Sequence, residues 1–185
     1  MIKKTIFFFT FLSCIINICF AQPAVLTEVA QSKYFNIYSH NEANLLQLTR
    51  QLDIRSEYLL IKGVSSGQEQ PQYMLGVIAD AIFLEACDIL HMYLYSFKIN
   101  IKICQSQQEL NKVYREFFER ELNAPAFYLH KQNAIYIDIQ HIRPESFAYE
   151  MAHAIIAHYF AVLPPAEVQE TLARDVGRQI KRLAK

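Results

Sequence analysis

No charge of one sign prevails in this 185-residue chain, where 18 basic side chains stand against 18 acidic ones. A surface that binds phosphate backbones needs a basic excess, so no nucleic-acid partner is expected. Glycine and proline are scarce, at 4 and 6 residues, which excludes collagen-like and low-complexity chains. Charged residues make up 19% against 52% hydrophobic, too apolar a balance for a disordered chain. There is no glycine-rich loop that could cradle phosphate and no nucleophile elbow, and no internal repeat recurs. The length suits one ordinary domain and leaves no room for two well-packed ones.

The longest apolar run stands at the beginning. Lys3 and Lys4 precede a stretch from Ile6 to Phe20 that is apolar except for Thr10, Ser13 and Asn17, and Cys19-Phe20-Ala21 follows. A short basic region, an apolar core and small residues at −3 and −1 form an export signal, with cleavage expected after Ala21. Two alternatives are an uncleaved anchor, for which the run falls short of the ~20 residues of a spanning helix, and a lipoprotein anchored at Cys14. Residues 1–21 are thus expected to be a signal peptide and 22–185 a single domain, exported to the periplasm or secreted, with no stable membrane span after cleavage. Without Lys3 and Lys4, 16 basic side chains face 18 acidic ones, a net charge of −2. Cys87 and Cys104 remain, and an exported chain can join such a pair or keep both as buried thiols.

The pattern that follows predicts an α+β domain. Tyr34–Tyr38 is a β-prone run, and Leu45, Leu48 and Leu52 recur at helical spacing within 42–52. Residues 63–71 (GVSSGQEQP) form a loop, and a long apolar pattern from Tyr73 to Phe97 predicts a buried central helix. Lys98–Ile103 alternates strictly, as a strand with one wet face does. A helix is expected over 106–121, then a strand at 126–129, a turn at 130–133 and a strand at 134–138. Pro144 opens a helix to about Val162, Pro164-Pro165 breaks it, and Val168, Leu172, Val176 and Ile180 mark a last amphipathic helix.

The chemistry-bearing stretch is YEMAHAIIAHYF, residues 149–160. Glu150 and His153 stand three apart and Tyr149 and His153 four apart, so all three share a helix face. A zinc hydrolase uses H-E-x-x-H at this spacing: two imidazoles hold the metal and the glutamate acts as general base on bound water. After the Pro-Pro break the next helix carries Gln169-Glu170-Thr171-Leu172-Ala173. In these features, and in the upstream hairpin ending Ile135-Tyr136-Ile137-Asp138, the chain resembles the gluzincin metallopeptidases, most strongly over residues 126–176. The resemblance implies a zincin-like fold: a small mixed sheet whose edge hairpin packs on an active-site helix, followed by a C-terminal helix.

Carried over residue by residue, the resemblance makes His153 the second zinc-binding histidine, Glu150 the general base and Glu170 the third ligand. Tyr149 departs from the pattern, since it stands where the first histidine belongs. A phenol, with an ordinary pKa of about 10, offers a metal little anionic oxygen. Zinc is therefore expected at low affinity or not at all, and peptide-bond hydrolysis is expected to be impaired. His158 projects about 140° from His153 on an unbroken helix and cannot join its ligand shell, whereas His130 and His141 could approach only through the tertiary fold. A second expectation is a non-catalytic module on the same fold, binding an extended peptide or protein by strand addition beside the IYID strand. Structural alternatives stand beside both. They are a Glu150–His153 polar pair, a core Tyr149 with a bonded hydroxyl, a Glu170–Arg174 surface ion pair, and a small exported domain without a site.

Overall fold

The computed structural model describes residues 26–40, 45–61 and 70–184. The expected signal peptide and most of the 63–71 loop lie outside the described residues. Five strands form one mixed sheet in the order β1-β2-β3-β5-β4: β1 (Thr27–Gln31), β2 (Phe35–Ser39), β3 (Ile99–Cys104), β4 (Ala126–Leu129) and β5 (Ala134–Asp138). β2, β3 and β5 run parallel, and the two edges, β1 and β4, run antiparallel to their neighbours. β1 slips register between Glu28 and Ala30.

Alternation along the strands sorts their side chains onto two faces, because successive Cβ atoms point to opposite sides. Phe35 and Ile37 of β2, Ile99, Ile101 and Ile103 of β3, and Ile135 and Ile137 of β5 enter the main core. Packed there are α1 (Leu45–Gln51), α3 (Pro71–Leu90), α5 (Pro144–Tyr159) and α6 (Ala166–Leu183), with the short α2 (Glu57–Ile61) alongside α3. The opposite face carries Cys104, Phe127, Leu129, Ala134 and Tyr136, covered by Leu110 and Tyr114 of α4 (Gln107–Phe118). Ser106 caps α4, its side chain accepting from the Glu109 amide.

The central helix is real but shorter than the Tyr73–Phe97 pattern predicts. It opens at Pro71, favoured at a first helical position, and stops at Leu90. His91 takes the left-handed conformation at φ 53, and the His91 and Met92 amides turn back to Asp88 and Cys87 carbonyls, which ends the helix. The apolar residues beyond, Met92 and Phe97, are buried as an irregular segment that returns to the sheet. On α3 the buried Asp80 accepts from the Ser32 hydroxyl at 2.6 Å and from the Lys33 and Tyr34 amides at 3.3 Å each, fastening the β1–β2 turn to the helix.

Cys87 and Cys104 are both free and buried, and they belong to the cores on opposite faces of the sheet. Among the described residues no helix is long and apolar enough to cross a membrane.

Candidate functional site

α5 is anchored by Phe147, Ala148, Met151, Ala152, Ile155 and Ile156, all at or near zero exposure. That buried stripe fixes the rotation of the helix, so the intervening Tyr149, Glu150 and His153 are carried toward β4 and α6. α6 packs along α5, and at Gly177 the two helices are in close contact. A methyl group added there would lie 3.0 Å from the Glu145 carbonyl oxygen and 3.6 Å from Tyr149 Cβ.

The structure brings Tyr149, His153 and Glu170 together. The Tyr149 hydroxyl donates to Glu170 Oε2 at 2.5 Å. The Tyr149 and His153 rings meet edge to face with centroids 4.9 Å apart. His153 Nε2 lies 3.7 Å from Glu170 Oε1, too far for a hydrogen bond. Burial lowers the His153 pKa and outweighs the attraction of Glu170, so the imidazole is neutral at pH 7 and this contact is not an ion pair. Burial, and then the bond to Glu170, push the Tyr149 phenol well above its ordinary range, so it keeps its proton.

Glu150 is directed elsewhere. Its Oε2 accepts the Tyr128 amide of β4 at 2.8 Å, so it does not form the i, i+3 pair with His153 that helical spacing alone permits. Burial pushes the Glu150 carboxyl up to about 8, the bond from the Tyr128 amide opposes this, and the charge of Glu170 adds to it. Glu170 likewise turns to Tyr149 rather than pairing with Arg174 on its own helix.

β4 is the sheet edge, and β5, which contains Ile135-Tyr136-Ile137-Asp138, is paired on both sides. The expectation of strand addition beside the IYID strand is therefore corrected: β5 has no open edge, because the first strand of the hairpin turns outward and covers it. The Asp138 amide bonds the Pro125 carbonyl, so by antiparallel alternation the backbone groups of Ala126 and Tyr128 face away from β5. The Tyr128 amide is the one Glu150 occupies.

The remaining histidines stay outside the Tyr149–His153–Glu170 cluster. His158 Nδ1 bonds the Ala154 carbonyl at 2.8 Å and its ring lies against Phe97. His130 Nδ1 meets the Tyr128 hydroxyl at 3.2 Å. His141 Nδ1 lies 2.5 Å from Asp138 Oδ2. No group of three or more His, Cys, Asp or Glu stands ready to hold a metal among the described residues.

The donors fit a catalytic zinc centre only in part. Two ligands sharing one zinc at bonds of about 2.0–2.2 Å sit roughly 3.4 Å apart, and the 3.7 Å between His153 and Glu170 comes close to that. The third position is a phenol that retains its proton and spends it on Glu170 Oε2. Three protein ligands are the rule for a catalytic zinc, and this set supplies two.

A cavity of about 330 Å³ opens between the first half of α5, the second half of α6 and the segment leading into β4. Ala126, Tyr149 and Glu150 line it, together with Arg174, Arg178 and Lys181 of α6. The three cations stand at i, i+4 and i+7, a spacing visible in the sequence that points to one helix face; that this face borders a cavity beside β4 follows only from the packing of α6. Comparison with protein-family models, with curated proteins and with solved structures finds no match to this chain.

Proposed function

We propose that this chain is an exported, zincin-like protein in which metal-dependent peptide hydrolysis is impaired. The observation that carries the proposal is the bond from the Tyr149 hydroxyl to Glu170. It joins the residue at the first-histidine position of the gluzincin pattern to the residue at the third-ligand position, so a proton bridges the two helices where that family uses a metal. The order of strand, helix, hairpin and two packed helices supports the zincin-like reading, as does the contact of α5 with the antiparallel edge strand.

Zinc content measured by elemental analysis tests this reading. After equilibration with micromolar zinc, the unaltered protein should carry no stoichiometric metal, Tyr149→His should carry about one zinc per chain, and Glu170→Ala in that background should lose it. One zinc in the unaltered protein, removed by Glu170→Ala, would overturn the impairment. No zinc in a folded Tyr149→His would overturn the zincin-like reading itself.

A further inference from the structure

The turn that joins α5 to α6 is apolar and faces water. From Tyr159 to Ala166 the chain reads Tyr-Phe-Ala-Val-Leu-Pro-Pro-Ala, with no charged side chain. Phe160 turns in to the main core and roots the turn. Val162 is 84% exposed, and Tyr159, Leu163 and Val168 each leave nearly half of their surface open. Consecutive apolar residues in water are unfavourable, and a patch of them marks a surface that meets something else.

The backbone of the turn is prepared for an apolar phase on its α6 side. Pro164 and Pro165 have no amide hydrogen to desolvate. The Pro164 carbonyl accepts from Gln169 Nε2 at 2.7 Å, and the Pro165 carbonyl accepts from the Val168 and Gln169 amides at 2.9 and 3.1 Å. At the other end the Phe160 amide bonds the Ile156 carbonyl at 3.2 Å. A protein partner could pair loose backbone groups, whereas hydrocarbon pairs none, so this satisfaction matters most against lipid.

Charge points the same way. Phe35 pairs with Ile99, and both Asn100 and Leu129 pair with Ala134, so the β1–β2 turn, the approach to β3 and the β4–β5 turn share one end of the sheet. Each holds one exposed lysine, Lys33, Lys98 or Lys131, and none holds an acidic residue. The last turn of α5 reaches that same end, where the His158 ring lies 5.0 Å from Phe97 and 6.3 Å from His130. Tyr95, 98% exposed, stands on the approach to β3. Glu167 follows the apolar run in the first turn of α6, where the helix dipole accounts for an acid.

We infer that this end of the protein docks on an anionic lipid bilayer, with Val162 and Leu163 entering the headgroup layer and Lys33, Lys98 and Lys131 facing lipid phosphates. Tyr95 and Tyr159 suit that boundary, where a ring is buried and its hydroxyl stays wet. Apolar insertion and attraction to anionic headgroups add, giving reversible, salt-sensitive binding. A second copy of this chain would set the three lysines against like charges, which disfavours it as the occupant. The surface excludes Tyr149 and Glu170, so its test is independent of the zinc position.

The chain has no tryptophan, so Val162→Trp places a single reporter at the tip. With vesicles of phosphatidylcholine and phosphatidylglycerol, its emission should move to shorter wavelength and be quenched by brominated acyl chains. In cosedimentation the unaltered protein should bind these vesicles about tenfold more tightly than phosphatidylcholine alone, and salt should remove the difference. Lys33→Gln/Lys98→Gln/Lys131→Gln should remove it too. Val162→Ser/Leu163→Ser should weaken binding about tenfold, because two apolar side chains leave the lipid. Its urea midpoint should not change, since both positions are exposed. Absence of cosedimentation would overturn the inference, and so would undiminished binding by Val162→Ser/Leu163→Ser, which would assign the contact to another segment. Equal affinity for both vesicles would overturn the role of the lysines. A tryptophan shift that grows with protein concentration without vesicles would overturn the lipid surface in favour of a second copy.

Discussion

The phenol of Tyr149 and the carboxylate of Glu170 meet at 2.5 Å, pinning α5 to α6 at a polar point beside a core to which both helices contribute, with Ala152 from one and Ala173, Val176 and Ile180 from the other. A tyrosine there does more than fail as a ligand, because it satisfies the carboxylate that a metal would otherwise hold.

Removing that hydroxyl should therefore cost stability. Hydrogen bonds to charged groups contribute about 1.5–3 kcal/mol when shielded, and Glu170 is 47% exposed, so a lower figure applies. Tyr149→Phe is expected to lose about 1 kcal/mol in urea unfolding with an unchanged slope. A loss within error of zero would show that the bond contributes nothing to the helix contact.

Stability should fall as pH rises from about 6.5 to 8. Glu150 has a folded-state value raised to about 8 from the ordinary 4.5, so between those limits the folded protein holds a proton that the unfolded chain has released. Each step up in pH then favours unfolding, until the folded carboxyl also ionises. His153 is shifted down from 6.5 and acts oppositely, but only below that value. The window above it belongs to Glu150. Urea midpoints across this range should decline in the unaltered protein and stay flat in Glu150→Gln, whose amide oxygen can still accept from Tyr128. Parallel declines in both would assign the slope to another group.

Gly177→Ala sets helix propensity against space. Alanine in a helix interior is favoured over glycine by about 1 kcal/mol. The new methyl group would meet the Glu145 carbonyl at 3.0 Å, and that acceptor is backbone inside α5, so relief requires the two helices to part. Crowding of this kind costs roughly 1–3 kcal/mol, so a net loss of about 1 kcal/mol is expected. Thermal unfolding checks it, and a stabilised variant would mean that the helices separate freely.

The thiols offer a simple check of the two-faced core. Burial raises Cys87 and Cys104 to about 12 each, so neither forms thiolate readily near neutral pH. Both should resist a thiol reagent at pH 8 in the folded protein and react in urea without prior reduction. A requirement for reductant would reveal a disulfide and contradict their placement on opposite sides of the sheet.

Much of this architecture is legible in the sequence because strong periodicity coincides with clear stop signals. β3 shows its alternation, Pro144 and Pro164-Pro165 bracket α5, and α6 repeats its apolar face through Ile180. β1 is not legible: Thr27-Glu28-Val29-Ala30-Gln31 is half exposed and contributes little apolar signal, being held by its pairing with β2. The end of α3 is hidden for the opposite reason. Met92, Leu94 and Phe97 continue the apolar pattern into a segment that packs on the core without being helical, and no Gly or Pro marks the stop at His91. At the site, helical spacing suffices to group Tyr149 with His153, and the resemblance adds Glu170. The partner of Glu150 is a backbone amide on another element, and no side-chain pattern encodes it. The contact that inverts the expected groove, β4 outside and β5 inside, is likewise a matter of strand order alone.

The two margins of the sheet have a bearing on how copies of this protein behave when crowded. An open edge is a template on which another chain can zip up, and repeated addition leads to aggregates. Here β1 slips register between Glu28 and Ala30, while on β4 the Tyr128 amide is already taken by a carboxylate. The β1 margin breaks the ladder an incoming strand would follow, and the β4 margin is covered at Ala126, which is buried. A growing ribbon therefore meets a missing rung on either side, which guards the sheet against polymerisation without a charged or proline-blocked edge.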